Sequence, residues 1–182
     1  MTEIVTRRLI LRRCTPSDRP DFLALERDAE VMKYLYGGPV DHARVDLTGI
    51  DFLMPRGTEP FVWSAKCKDD GQFAGWFSLA PKNHGVAELG YRLPKVAWGR
   101  GIATEGAVAL VKWAFENAVY DTIIAGTMAV NLGSRRVMEK IGMRHVKTEF
   151  LEFPDPIPGS EHGEVSYEIT RQVWDLHVAE LT

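Results

Sequence analysis

The sequence predicts a mixed α/β fold of the α+β type, a mostly antiparallel sheet of about seven strands with flanking helices. Three observations predict it. Residues 61–93 read as short strand-like segments joined by tight turns, the pattern of a meander. After residue 100 the apolar spacing changes from two to three and four, the period of a helix. The order strand, helix, strand, helix in the second half then demands a parallel pair, because a crossover helix returns the chain in the same direction.

The elements follow in order. Leu9–Arg13 is the first strand expected. Thr15-Pro16-Ser17-Asp18 reads as a helix start, with Thr15 or Ser17 as cap and proline at a tolerated first-turn position. Phe22, Leu23, Leu25 and Ala29 form one face of that helix, and Gly37-Gly38-Pro39 interrupts it. A second helix is expected over 41–53. Residues 61–68 form a strand, Asp69-Asp70-Gly71 a hairpin turn, and 72–79 the return strand. Residues 81–85 turn again, and 86–93 form a further strand. From Arg100 to Asn117 the apolar positions are Ala103, Ala107, Leu110, Val111, Ala114 and Phe115, an amphipathic helix. The apolar run 122–130 suits the middle of a sheet. A short helix over 131–141 ends at Gly142, where a C-cap glycine belongs. Residues 143–153 and 164–170 are the last strands, joined by the proline-rich stretch 154–159, and 171–181 closes as helix. No repeat or linker divides the chain, so 1–182 is expected to be one domain.

Composition removes several classes of function. Hydrophobic residues are 45% and charged residues 26%, ordinary globular values. With 22 Lys plus Arg against 25 Asp plus Glu, the net charge of −3 offers no general attraction to nucleic acid or an anionic membrane. There is no apolar run of about 18 residues to span a bilayer and no signal-peptide pattern at the N-terminus. Cys14 and Cys67 stand far apart, as reduced thiols of a cytoplasmic protein would. The five histidines, at 42, 84, 145, 162 and 177, show no zinc spacing, so no metal is expected.

The chemistry concentrates in Glu88-Leu-Gly-Tyr-Arg-Leu-Pro-Lys-Val-Ala-Trp-Gly-Arg-Gly-Ile-Ala-Thr-Glu105. A strand runs into a glycine-containing turn that opens a helix. The first turn of a helix carries unpaired N–H groups and a partial positive charge. Gly99 and Gly101 let a bulky anion approach those groups, and Arg100 adds a full charge. That is a pyrophosphate site in physical terms, although a tight strand-to-helix turn without ligand would use the same glycines. The Walker pattern is absent, and Thr104 stands where a dinucleotide fingerprint needs its third glycine.

Trp98-Gly99-Arg100-Gly101-Ile102-Ala103 resembles motif A of the GNAT acetyltransferase superfamily, Gln/Arg-x-x-Gly-x-Gly/Ala, departing only at Trp98. With Glu-Leu-Gly-Tyr-Arg-Leu before it, the phrase is similar to the branch of ribosomal-protein N-terminal acetyltransferases. Further on, Asn131-Leu-Gly-Ser134 followed by Glu139-Lys140-Ile-Gly142-Met143 resembles the second motif of that family. The resemblance implies a fold whose fourth and fifth strands diverge in a V. It also implies acetyl-CoA as co-substrate, with the pantetheine arm pairing to the strand edge at Tyr91, Arg92 and Leu93. The diphosphate would lie on Trp98, Gly99, Arg100, Gly101, Ile102, Ala103 and Thr104, and Asn131 and Ser134 would face the far side of the arm. Homodimers are common in such folds, and no interface is legible.

An ammonium must lose a proton before it attacks a thioester. Glu88, two residues before Gly90 on the strand that holds the thioester, is the expected base; a carboxylate that only ion-pairs or binds the acceptor's cation would look the same. A backbone N–H between Gly90 and Arg92 would hold the oxyanion. Many relatives use a tyrosine as acid in the second half of the fold, and none stands between Tyr120 and Tyr167. Ser134 is therefore the expected proton donor to the departing sulfur, unless it is only a first-turn helix hydroxyl. Neither cysteine lies near the motifs, so direct transfer in a ternary complex is expected over a covalent cysteine route. Trp63 and Trp76 are core residues or walls of the acceptor cleft. The acidic loop 152–164 is a solvated hairpin or an attractor of cationic acceptors, and Glu105 complements the helix dipole. The acceptor is a small-molecule or peptide amine. The alternatives are a CoA-binding module without turnover, an enzyme for another acyl-CoA or acceptor, and a nucleotide-binding α/β protein.

Overall fold

In the computed structural model, residues 3–44, 53–54, 57–117, 120–152 and 154–180 are described. Eight strands form one sheet in the order β1-β2-β3-β4-β5-β6-β8-β7. They are β1 (Ile4–Val5), β2 (Leu9–Arg13), β3 (Val62–Cys67), β4 (Phe73–Asn83), β5 (Val86–Arg92), β6 (Thr122–Met128), β7 (Arg144–Glu149) and β8 (Glu164–Thr170). Every neighbouring pair is antiparallel except β5 and β6. The crossover between these two is α3 (Ile102–Asn117), which packs on one face of the sheet with α4 (Leu132–Lys140). The opposite face carries α1 (Arg19–Arg27), followed by α2 (Ala29–Met32). The chain ends in α5 (Arg171–Glu180), where Trp174 packs on Phe115. No helix among the described residues is long and apolar enough to cross a membrane.

The extra strand β1 is only two residues long, too short to show alternation. β4 also runs through the turn expected at residue 81. β3 pairs no further along it than Ser78, so Pro81 lies where one side of β4 is open and its missing N–H costs no ladder bond. Ala29 begins a separate helix and is exposed, whereas Phe22, Leu23 and Leu25 are buried as expected. Of the helix expected over 41–53, residues 41–44 form a turn and 45–52 lie outside the described residues.

The main core lies between the sheet and α3, where Ala107, Leu110, Val111 and Ala114 are fully buried. Gly106 lets the helix lie close: a methyl there would come within 2.2 Å of the Phe77 ring. A buried polar knot ties the other face. Asp18 accepts bonds from Arg12 at 2.8 and 2.9 Å, from the Thr15 N–H at 2.8 Å and from the Ser64 hydroxyl at 2.9 Å. Burial pushes its carboxyl up, but these bonds outweigh that and hold it below the usual carboxylate range. A carboxylate lowered on folding stabilises above its unfolded pKa of roughly 4, and the contribution fades as pH falls through the lower folded value. Asp18→Asn should therefore cost roughly 1–3 kcal/mol at pH 7 and flatten the acid limb of the stability curve. Urea unfolding at neutral and acid pH measures both; equal losses at both pH values would refute the assignment.

Candidate active site

The turn after β5 is built to leave amides bare. A 3-10 turn over Lys95–Ala97 leads to Trp98, whose indole N–H donates to the Leu93 carbonyl at 2.9 Å and staples the turn to the strand end. Gly99 and Gly101 have φ of +68° and +75°, a region costly to side-chain-bearing residues. A methyl on Gly99 would meet nothing within 4 Å, so backbone conformation, not space, requires glycine. The amides of Ala97 and Trp98 bond to carbonyls within the 3-10 turn, and that of Glu105 to Gly101. Between them, no acceptor among the described residues takes the N–H groups of Gly99, Arg100, Gly101, Ile102, Ala103 and Thr104. This row of donors sits at the positive end of a 16-residue helix.

A distant segment holds the turn in place. The Arg8 guanidinium donates to the Arg100 carbonyl at 2.8 Å and pairs with Glu105 at 2.6 Å. Glu105 also accepts from the Thr6 hydroxyl at 2.6 Å and the Arg8 N–H at 2.7 Å. Burial raises its carboxyl, and these bonds overcome that and leave it below the usual range. Glu105 therefore does more than complement the dipole: it clamps the β1–β2 turn to the glycine turn.

Beside this turn the sheet splits. β5 and β6 pair only at Val86–Thr122, Ala87–Ile123 and Glu88–Ile124. Beyond Glu88, β5 pairs only with β4 and β6 only with β8, so the β5 edge from Leu89 to Arg92 faces a gap. Counting without the unforeseen β1, this is the divergence expected between the fourth and fifth strands. On the helical side of the gap, the Tyr91 hydroxyl lies 2.9 Å from the Ser134 hydroxyl and 3.1 Å from the Ser134 carbonyl. Burial pushes the Tyr91 phenol up to about 12, partly offset by Ser134. Asn131 caps α4: its carbonyl oxygen accepts the Ser134 N–H at 3.2 Å, and its amide donates to Thr127 at 3.0 Å. Both ends of this side chain are engaged within the protein, so its clearest role is to orient Ser134.

Strand pairing places Glu88, Gly90 and Arg92 on the other face, beside Ala80, Ser78 and Trp76. Glu88 is partly exposed, and its carboxylate pairs with Lys82 at 2.6 Å. The Ser78 hydroxyl lies over Gly90, where a methyl would come within 2.6 Å of it. Arg92 turns its side chain away from the gap, over the Trp76 ring and against fully buried Glu26, which also accepts from His42 and the Met54 N–H at 2.5 Å each. Burial lowers the Arg92 guanidinium to about 10, against the pull of Glu26. Trp76 thus belongs to this face, whereas Trp63 is core, edge-on to Trp113 under α3. The loop 154–163 is not fully solvated: Ser160 is buried, and a methyl on Gly159 would come within 2.7 Å of Val130. A methyl on Gly37 would reach Ile157 at 2.8 Å, so this loop meets the turn after α2.

The expected residues thus gather on two sides of one gap, with Ser134 and the amide turn on the helical side and Glu88 on the other. Sequence reasoning missed Tyr91 as the partner of Ser134, Lys82 as that of Glu88, and the Arg8–Glu105 clamp. The signal for Tyr91 was its place in the stretch before the glycines; for the others no local signal exists.

Residues 8–144 match the model of the acetyltransferase (GNAT) domain family. The chain is 33% identical to the FsC-acetyl coenzyme A-N(2)-transacetylase of Aspergillus fumigatus, over 84% of this chain and 69% of that protein. Its fold matches spermidine N-acetyltransferase from Vibrio cholerae, solved with CoA and spermine, with a TM-score of 0.75 at 16% identity, over 93% of this chain and 99% of that one. It also matches RimL, a ribosomal-protein α-N-acetyltransferase solved with CoA, with a TM-score of 0.71 at 15% identity, over 93% and 98%.

Proposed function

The chain belongs to the GNAT acetyltransferase family and is an N-acetyltransferase; on that premise we propose that it moves an acetyl group from acetyl-CoA to a primary amine by direct attack in a ternary complex. The observation that carries this is the row of unpaired amides from Gly99 to Thr104 beside an unpaired strand edge. The amides fit a diphosphate, with Arg100 adding charge, and the edge at Tyr91, Arg92 and Leu93 fits a pantetheine arm that pairs like an added strand. Acetyl-CoA supplies the thioester carbonyl.

The protein's own groups do the rest. Glu88, beside Lys82, takes the proton from the acceptor ammonium, directly or through water. A β5 N–H between Gly90 and Arg92 stabilises the oxyanion. Ser134 returns a proton to the departing sulfur. The Tyr91 phenol, which keeps its proton throughout the physiological range, donates to the Ser134 carbonyl and lies within hydrogen-bond reach of the Ser134 hydroxyl, holding the serine at the gap. Burial, mainly, pushes Cys14 up to about 11 and raises Cys67 as well, so neither supplies a thiolate for a covalent intermediate. Two unpaired thiols also fit a cytoplasmic setting.

The acceptors in the neighbours' names, spermidine and ribosomal protein, are amine or protein acceptors, and a small-molecule or peptide amine is the class proposed here. The test is thiol release from acetyl-CoA across polyamines, amino acids and peptides, with propionyl- and succinyl-CoA as competing donors. Turnover with a primary amine and acetyl-CoA is expected. Tight CoA binding without turnover over the whole panel would instead identify a silent binding module.

A further inference from the structure

On the face that carries Glu88, the cover supplied by α1 ends one rung short of that residue. Trp76 and Arg92 oppose one another on β4 and β5 and are buried, Trp76 within the apolar cluster of α1. The next rung pairs Ser78 with Gly90, and Ser78 is 9% exposed. The rung after it pairs Ala80 with Glu88, both partly exposed, and Lys82 beyond them is exposed. Ser78 thus stands at the border between the covered and the open part of the face. No group among the described residues bonds its hydroxyl, and a buried hydroxyl without a partner costs the fold stability. Opposite it, Gly90 has no left-handed backbone to explain the glycine. A methyl there would come within 2.6 Å of the Ser78 Oγ, against 3.7 Å to the Trp76 ring, the next nearest group. Gly90 therefore leaves a notch in the strand, with one unpaired hydroxyl facing into it.

We propose, on the reading that Glu88 is the base, that Ser78 is a positioning residue: its hydroxyl, in the notch at Gly90, holds the water through which Glu88 takes the proton of the acceptor ammonium. Lys82 stands between Pro81 and Asn83, which pair with Ala87 and Val86, so it draws the Glu88 carboxylate from the start of β5. The gap opens on the other side of Glu88, from Leu89 onward. A carboxylate held toward Lys82 is separated from an amine in the gap by a distance that one water spans. Ser78 flanks that path on the neighbouring rung. Ser78 and Glu88 are diagonal neighbours on this face, with backbones roughly 7–8 Å apart, near enough for one water to bond both side chains.

In the transfer the ammonium N–H bond breaks and its proton passes to the water oxygen, while the water gives one of its own protons to the Glu88 carboxylate. The nitrogen keeps the bonding pair and attacks the thioester carbonyl with it. Ser78 keeps its own proton throughout. Its oxygen accepts the second O–H of the water, which aims a lone pair of the water at the ammonium.

Steady-state kinetics of Ser78→Ala across pH, with saturating acetyl-CoA and an alkylamine that the wild type acetylates, tests the role. The expected result is a kcat lowered roughly tenfold near neutral pH, the scale of one hydrogen bond, with CoA affinity unchanged. The loss should narrow as the pH rises toward the acceptor's own pKa, where the amine arrives already deprotonated. Thermal unfolding should show Ser78→Ala as stable as the wild type or more so, because the hydroxyl it removes has no partner in the fold. Gly90→Ala should cost the wild type more activity than it costs the Ser78→Ala variant, in which the added methyl meets nothing closer than 3.7 Å. In a Glu88→Gln background Ser78→Ala should add no further loss, since both act on one proton path. A kcat unchanged by Ser78→Ala, a loss equal at every pH, or a full additional loss on top of Glu88→Gln would overturn the role of Ser78 while leaving Glu88 as the base. A kcat unchanged by Glu88→Gln would remove the base itself, and this role with it.

Discussion

Gly101→Asp should abolish measurable CoA binding while leaving the fold intact. Two separable penalties combine at this position. Aspartate at φ +75° pays for left-handed backbone, roughly 1–2 kcal/mol. Its carboxylate then stands among the amides that would hold the diphosphate, and two like charges about 4 Å apart at a protein surface repel by roughly 4 kcal/mol. Each 1.4 kcal/mol is about tenfold in affinity, so a loss of at least 100-fold is expected by isothermal titration with CoA. Gly101→Ala carries only the backbone term and should lose about tenfold. Its methyl would meet no more than the flexible end of Arg8, at 3.4 Å, so steric exclusion does not confuse the reading. Affinity within threefold of wild type for the aspartate variant would show that the turn does not hold the diphosphate, and the proposed chemistry would lose its anchor.

Glu88→Gln is expected to lower kcat by about 10²–10⁴ with CoA affinity unchanged, the loss that accompanies removal of a placed general base. In activation terms that is about 3–5 kcal/mol. The Lys82 pair makes the experiment discriminating. If Glu88 only anchors a cationic acceptor, its amide will raise the acceptor's KM and spare kcat. If it is the base, kcat falls even at saturating acceptor. Steady-state kinetics with both substrates varied separates these outcomes, and a kcat held within threefold refutes the base.

The site was legible in the sequence to unequal depth. The glycine turn could be found because positive φ and unpaired first-turn amides are written within a few residues, at Gly99, Gly101 and the start of α3. Ser134 could be found because Asn131-Leu-Gly-Ser134 resembles the family's second motif and no tyrosine stands between Tyr120 and Tyr167. Tyr91 was read as a strand edge only, since nothing nearby says that its hydroxyl meets a serine 43 residues away. Arg92 was expected at the gap, and its backbone is there. Its guanidinium goes to Glu26, 66 residues earlier, because β4 and α1 surround that face with Trp76 and a buried carboxylate. The acidic loop was expected as a solvated hairpin and instead packs partly on Val130 and near Gly37, contacts that depend on where two other loops end.

The sequence by itself determined the element order from β3 onward, the change from antiparallel meander to a parallel crossover, and the glycine turn that opens α3. These depend on apolar period, turn residues and backbone conformation, which act over a few positions. Only the tertiary structure decided where β5 leaves β6, which faces carry Glu88 and Ser134, and how Arg8 reaches Glu105 across 97 residues. Those follow from strand order and register, and a single-residue shift in register would turn every one of these side chains to the opposite face.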